Sequence, residues 1–127
     1  MRRLKPFAEA SVIELPEGRG KQSPQRKQEE AQHILGRAEK GFVLFDERGK
    51  QLGSKDWAAY LEHLPQNARQ DFVIGGADGV DDSVRKAAGC CWSLSALTLP
   101  HQLARVLVLE QLYRGFSILK GHPYHRE

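Results

Sequence analysis

Cysteine is nearly absent from this chain: there are two in 127 residues, and those two, Cys90 and Cys91, are neighbours. Adjacent cysteines make a poor structural disulfide and offer no C-x-x-C metal spacing, so they read as small packing residues near the end of a helix. Long apolar runs are missing as well. Nothing approaches the roughly 20 consecutive apolar residues that cross a bilayer. Met1-Arg2-Arg3-Leu4-Lys5-Pro6 opens with positive charge but leads into no apolar core, so neither a membrane span nor a signal peptide is expected, and the expected location is cytoplasmic. No charge sign dominates. Nineteen Lys and Arg against sixteen Asp and Glu leave +3, too mild by itself to identify a nucleic-acid binder. The distribution says more, because Arg2, Arg3, Lys5, Arg19, Lys21, Arg26 and Lys27 crowd the first quarter, either as solvated surface or as a footprint for phosphates. Also missing are the G-x-G-x-x-G fingerprint, the ribose-binding acid that follows it, and the lysine of a phosphate loop, which counts against a generic nucleotide-binding α/β enzyme.

What is present is the composition of a soluble globular protein, 40% hydrophobic and 28% charged, at a length that suits a single domain over residues 1–127. Ser11 to Leu15 is a short β-branched run closed by Pro16 and followed by a flexible basic loop, which predicts a strand leading into a turn. Ser23-Pro24 supplies an N-cap and a first-turn proline for a helix over Gln25 to Lys40, with Ala31, Ile34, Leu35 and Ala38 as its apolar stripe. Gly41 stops that helix. Phe42-Val43-Leu44-Phe45 is a continuous apolar run suited to a parallel strand buried on both faces, with Asp46 to Lys50 as the loop at its carboxyl end. Ser54 caps a helix from Lys55 to about His63, Asp71 to Ile74 is the next strand, and Asp81 or Asp82 caps a short helix ending near Gly89.

The segment from Trp92 to Leu99 fits neither period cleanly, so a short strand opening into a buried loop is expected. Pro100 then starts a last helix, His101 to about Leu119. Leu103, Val106, Leu107, Val108, Leu109, Leu112, Tyr113 and Phe116 make that helix apolar most of the way round. It must be buried on two sides, and a second copy of the chain is the simplest second partner. Strands alternating with helices give an α/β fold, a mainly parallel sheet with helices on both faces. Ligands in such folds bind beyond the carboxyl ends of the strands, which directs the Asp46 loop, the Gly75 turn and the Thr98–Pro100 segment toward one pocket.

Three stretches carry residues suited to chemistry. Gly75-Gly76-Ala77-Asp78-Gly79 permits close approach of a ligand to main chain, although a plain tight turn would look the same. Ser95-Ala96-Leu97-Thr98-Leu99-Pro100 offers main-chain donors and acceptors between small and apolar walls, as an adenine pocket requires and as ordinary core also does. His101 stands at a helix start, where the dipole disfavours a charged imidazole; it reads as a neutral acceptor or as a capping residue. Glu110 and Arg114 form a helix-surface pair. The tail, Gly121-His122-Pro123-Tyr124-His125-Arg126-Glu127, gathers two imidazoles, a phenol and a guanidinium where most chains carry indifferent polar sequence. Arg suits phosphate, Tyr stacks on a base, and His transfers protons.

The strings IGGADG and WSLSALTLPHQLARVLVLEQLYRGFSILKGHPYHRE, in this order and spacing, closely resemble the SPOUT-class pseudouridine N3-methyltransferases of large-subunit ribosomal RNA. The match is most specific from Phe72 to Glu127 and extends back to Ser11. The resemblance implies a C-terminal trefoil knot that includes Ser93 to His101, with S-adenosylmethionine held against Phe45, Asp46, Gly75, Gly76, Ser95, Ala96, Leu97, Thr98, Leu99 and Pro100. It also implies a homodimer through the last helix, a ribosomal RNA partner, and no metal. One subunit's tail would complete the other's site, with His101 or His125 accepting a proton while Tyr124 and Arg126 position the base. Members of that family usually begin with a further strand and part of a helix ahead of the position matching Met1. The expectation is therefore poor solubility or weakened dimerisation for the 127-residue chain, and the alternative to an active enzyme is a knotted ribosome-binding protein that no longer transfers methyl groups.

Overall fold

The computed structural model describes residues 13, 15, 18–65, 68–75, 79–95, 97 and 99–119. The elements in chain order are α1 (Ser23–Arg37), β1 (Val43–Gln51), α2 (Ser54–Glu62), β2 (Phe72–Ile74), α3 (Asp82–Ala87), β3 (Cys90–Ser93) and α4 (His101–Leu119). The three strands form one sheet in the order β2-β1-β3, and both neighbours run parallel to β1. The α/β class and the parallel sheet are thus as expected. The Ser11–Leu15 run lies mostly outside the described residues; Ile13 and Leu15, which are described, are exposed and belong to no strand.

Strand alternation divides the core in two. Val43, Phe45, Phe72, Ile74, Cys90 and Trp92 face α2 and α4, where they pack with Trp57, Leu61, Val108 and Leu112. Leu44, Val73 and Cys91 face the other way, toward Ala31 and Ile34 of α1 and Val84 of α3. Helices therefore cover both faces, and β1 is an apolar run because both of its faces are covered. The first face is aromatic: Phe45 stacks on Trp57 at 5.6 Å between ring centroids, Trp57 meets Trp92 at 5.1 Å, and Tyr60 meets Trp92 edge-on at 4.8 Å. The Tyr60 hydroxyl donates to Gln70 at 2.9 Å, so the polar end of this cluster is satisfied.

Local chemistry explains most boundaries and corrects several. α1 begins at Ser23 with Gln22 as its N-cap, and it ends at Arg37 rather than Lys40. Leu35 is 42% exposed and falls outside the buried stripe, because α1 covers the sheet mainly through Ala31 and Ile34. Gly41, at φ 87°, makes the left-handed turn into β1 that a side chain would resist. α2 is capped by Gly53, not Ser54: the Asp56 carboxylate accepts from the Gly53 N–H at 2.9 Å, while the Ser54 hydroxyl donates to Gln111 of α4 at 2.7 Å. α3 is capped by Asp81, whose carboxylate accepts from the Ser83 N–H at 3.1 Å. Cys90 and Cys91 do not end a helix. They open β3, which starts two residues before Trp92, and β-sheet pairing with Val43 and Leu44 decides their conformation.

α4 crosses α2 closely. A Cβ built on Gly115 would lie 2.8 Å from Leu61 Cδ1 and 3.5 Å from the Ala58 backbone nitrogen, so glycine is what lets the two helices approach. Beside it, Ser117 is fully buried and returns its hydroxyl to the Tyr113 carbonyl at 2.9 Å. The inner face of α4 is Ala104, Val108, Leu112 and Gly115, whereas Leu103 and Val106 remain 46% and 60% exposed. Glu110 and Arg114 pair as expected, at 2.7 Å.

Candidate active site

The sheet register fixes where a ligand could be met. Phe45 of β1 lies opposite Ile74 of β2 on one side and Trp92 of β3 on the other, so β2 ends, β3 nearly ends and β1 breaks register at one level. The next residues, Asp46, Gly75 and Ser93, stand at the edge where parallel α/β sheets bind ligands. This brings together two of the three stretches singled out in the sequence, the glycine turn and the segment leading into α4. The tail residues Tyr124, His125 and Arg126 lie outside the described residues, as do Gly76, Ala96 and Thr98.

Gly75 is the hub of the row. A Cβ there would lie 2.5 Å from Val80 Cγ1, so the turn closes on itself with no space for a side chain. Gly79 completes it at φ 84°. The Gly75 carbonyl is 3.1 Å from Nδ1 of His101, the first residue of α4. A carbonyl can only accept, so Nδ1 carries the proton, and in the neutral ring the free lone pair is on Nε2. His101 is thus tied to the glycine turn through Nδ1.

β1 does not end at Phe45. It leaves the register over Asp46 to Gly49 and rejoins β3 with Lys50 opposite Trp92 and Gln51 opposite Ser93. The expected loop is an outward excursion within a longer strand. Gly49 makes the return possible, since a Cβ there would lie 2.5 Å from the Trp92 carbonyl carbon and 2.7 Å from that of Cys91. At the other end, the Asp46 carboxylate accepts from Arg85 Nε at 2.6 Å, with the two side chains only 13% and 25% exposed. Arg85 also donates to Asp82 at 2.7 Å, and both carboxylates raise its already high pKa. Cys91 sits within reach of this pair. Burial pushes its thiol up, Asp46 adds to that, and Arg85 opposes it. Sequence reading missed Gly49 and Arg85. In the sequence Gly49 is indistinguishable from any loop glycine, and Arg85 passes for a simple (i, i+3) partner of Asp82, because Asp46 is distant along the chain.

The segment after β3 is held by its serines. Ser93 donates to the Ser95 carbonyl at 2.8 Å, and the Leu97 N–H donates to the Ser95 hydroxyl at 3.0 Å. That turn puts Leu97 out at 72% exposure where a buried loop is expected; of the other described residues Leu94, Ser95 and Leu99 are half-buried and Pro100 is exposed. The Phe45 side chain belongs to the aromatic core, which leaves its main chain as the part that can face a ligand. On the α2–α4 side a cavity of about 150 Å³ is walled by Leu52, Trp57, Leu94 and Leu107 with Ser54, Gln111 and the strand-end residue Ser93. It contains none of the residues expected to hold a cofactor. Among the described residues, no group of three or more His, Cys, Asp and Glu could hold a metal ion, and no helix is long and apolar enough to cross a membrane.

The arrangement brings Asp46, the glycine turn and His101 to one edge of the sheet. The family model described as "Predicted SPOUT methyltransferase" matches residues 1–125. A Brucella anthropi protein named ribosomal RNA large subunit methyltransferase H is 46% identical over 121 residues, covering 92% of this chain and 76% of its own length. The protein of the same name from Thiobacillus denitrificans is 44% identical over 133 aligned positions, covering 100% of this chain and 85% of its own. That from Brucella ovis is 45% identical over 130, with 92% and 77% covered. With a family match of that extent and relatives of that identity along nearly its whole length, the chain belongs to the SPOUT methyltransferase family.

Proposed function

We propose that this chain methylates N3 of a pseudouridine in large-subunit ribosomal RNA, with S-adenosylmethionine as donor, and that it does so as a homodimer whose C-terminal segment is knotted. The observation that carries the reading is the contact between His101 and Gly75 at the row of strand ends, in a chain whose relatives bear the name of a ribosomal RNA large subunit methyltransferase.

The residues present fit the cofactor. S-adenosylmethionine carries no phosphate, so its site needs neither a phosphate-loop lysine nor G-x-G-x-x-G; it needs main-chain groups for the adenine edge and close access to backbone. Gly75 keeps the turn tight, since its Cβ position is already taken by Val80, and its carbonyl is engaged by His101. Phe45 and Gly75 with Gly76 would line one side through their main chains, and Ser95, Ala96, Leu97, Thr98, Leu99 and Pro100 the other. Asp46 would border the pocket, with its charge offset by Arg85. When bound, the cofactor supplies a methyl group already activated by its sulfonium.

This chain's residues then have to align N3 and remove its proton. His101 would take the N3 proton at Nε2, the nitrogen not engaged by Gly75, as N3 accepts the methyl group. His125 is the other candidate acceptor. Tyr124 and Arg126 of the tail position the base and stabilise the anion that develops. The dimer reading is supported by Leu103 and Val106, apolar residues left exposed on the helix whose opposite side is buried. The deciding experiment incubates the protein with methyl-labelled cofactor and unmethylated ribosomes and maps the labelled nucleoside by mass spectrometry. Label on N3-methylpseudouridine is expected, and label absent from pseudouridine overturns the assignment.

A further inference from the structure

We infer that Arg85 is a positioning residue of the cofactor pocket, clamping the Asp46–Gly49 excursion to the segment that follows the glycine turn so that the two walls form one rim. The inference rests on the function proposed above. A continuous path of contacts runs from one wall to the other. Asp46 leaves the sheet register and is met by Arg85 Nε at 2.6 Å. Arg85 is fixed within α3 by its second bond, to Asp82 at 2.7 Å. α3 is joined through its cap Asp81 to Val80, which is buried and packs directly under Gly75.

Two contacts hold the excursion at its ends. Gly49 presses against the Cys91–Trp92 backbone at the return, and Arg85 holds the departure. Without Arg85, Asp46 would be a largely shielded carboxylate deprived of its ion-pair partner, and the excursion would swing from its Gly49 end. A role for Arg85 in gripping RNA phosphate is disfavoured by the same geometry, because its guanidinium is already engaged by two carboxylates.

The test uses the full chain with Arg85→Ala, Arg85→Lys, Asp46→Asn and the Arg85→Ala/Asp46→Asn pair. Arg69→Ala serves as a control, since it breaks ion pairs to Asp71 and Glu39 away from the carboxyl edge. S-adenosylmethionine binding is read by calorimetry, and amide exchange is read without cofactor. Arg85→Ala is expected to weaken binding about tenfold, with the double variant no weaker than either single one, as coupled partners require. Lysine should recover part of the loss, and KM for the cofactor should rise with kcat nearly unchanged. Exchange should quicken at Asp46–Gly49 and at Gly79–Val80 together, while Arg69→Ala moves neither. Parent-like binding by Arg85→Ala, or faster exchange in one wall alone, overturns the clamp. Failure of the parent to bind S-adenosylmethionine would instead remove the proposed function and the cofactor role with it, and the exchange measurement would still decide whether the walls are joined.

Discussion

Replacing Gly49 by alanine and, separately, Gly36 by alanine should change stability in opposite directions, although both are a glycine gaining one methyl group. Gly49 has an ordinary φ, so its penalty is contact alone: the new Cβ would stand 2.5 Å from the Trp92 carbonyl carbon and 2.7 Å from the Trp92 nitrogen. Packed carbons prefer roughly 3.5–4.0 Å, so β1 and β3 must part by about 1 Å at a point where both contacts are main chain. Overpacking of that kind costs about 1–3 kcal/mol, and the gain from a stiffer unfolded chain, about 0.4–1 kcal/mol, offsets only part of it. With the contact this close and both partners main chain, a net loss of about 1–2 kcal/mol is expected, and at roughly 3–5 °C per kcal/mol for a domain of this size the melting temperature should fall by about 3–10 °C. Gly36 lies in the last turn of α1 with nothing within 4 Å of its built Cβ. Alanine there should stabilise by about 0.5 kcal/mol and raise the melting temperature by about 2 °C. Calorimetric melts of the two variants beside the parent decide it. A Gly49→Ala protein melting at or above the parent would show that the excursion does not press on β3.

Other expectations concern charge, assembly and the tail. In a Cys90→Ala background, Asp46→Asn should let the Cys91 thiol ionise at lower pH and Arg85→Ala should delay it, because one partner raises that pKa and the other lowers it; shifts of the same sign in thiolate absorbance would refute the arrangement. Asp71 is held below the usual carboxylate range by its bonds from Arg69, against a smaller burial effect. Its contribution is therefore complete above about pH 4 and lost as pH falls through the lowered value. Asp71→Asn should flatten the stability profile in that acid range, and an unchanged profile would show the pair to be idle. Val106→Lys should convert the proposed dimer to monomer in sedimentation experiments, whereas an association of parental strength would place the interface elsewhere. Arg126→Ala or Tyr124→Ala should abolish methyl transfer while cofactor binding persists in calorimetry, and full activity in either would remove the tail from the mechanism.

Sequence periodicity revealed what depends on near neighbours. α4 begins at His101 where Pro100 predicts it, the Phe72–Ile74 strand lies inside the predicted run, and β1 is as apolar as a two-face-covered strand should be. Pattern failed where a distant partner decides. Cys90 and Cys91 follow a short helix and read as its continuation, but parallel pairing to Val43 and Leu44 makes them strand. Ser54 has the chemistry of a cap, yet its hydroxyl is drawn to Gln111 on another helix. Leu97 sits among apolar residues and is nevertheless turned outward by two serine hydrogen bonds. The site was legible as stretches but not as contacts. Glycines and a histidine could be marked from composition, while the bond from His101 to the Gly75 carbonyl and the pairing of Asp46 with Arg85 exist only once the strands are side by side.

The strand order β2-β1-β3 has a consequence for how the chain is made. β1 is the central strand and the earliest of the three, and both partners come later: Val43 waits for Phe72 on one side and for Cys90 on the other. Among the described strands, synthesis therefore delivers the central apolar strand before either of its two partners. Pairings this far apart in sequence are slow to form and leave sticky surface in the meantime. When β1 emerges, α1 is the described element already complete with an apolar face to lay against it, and its narrow pair, Ala31 and Ile34, covers one side. The opposite side waits for Trp57 and Leu61 of α2, and then for α4, which comes last of all. Shielding during synthesis should thus matter most between the emergence of Phe42 and that of Ser93, and substitutions that weaken α1 should lower the yield of soluble chain more than they lower the stability of protein already folded.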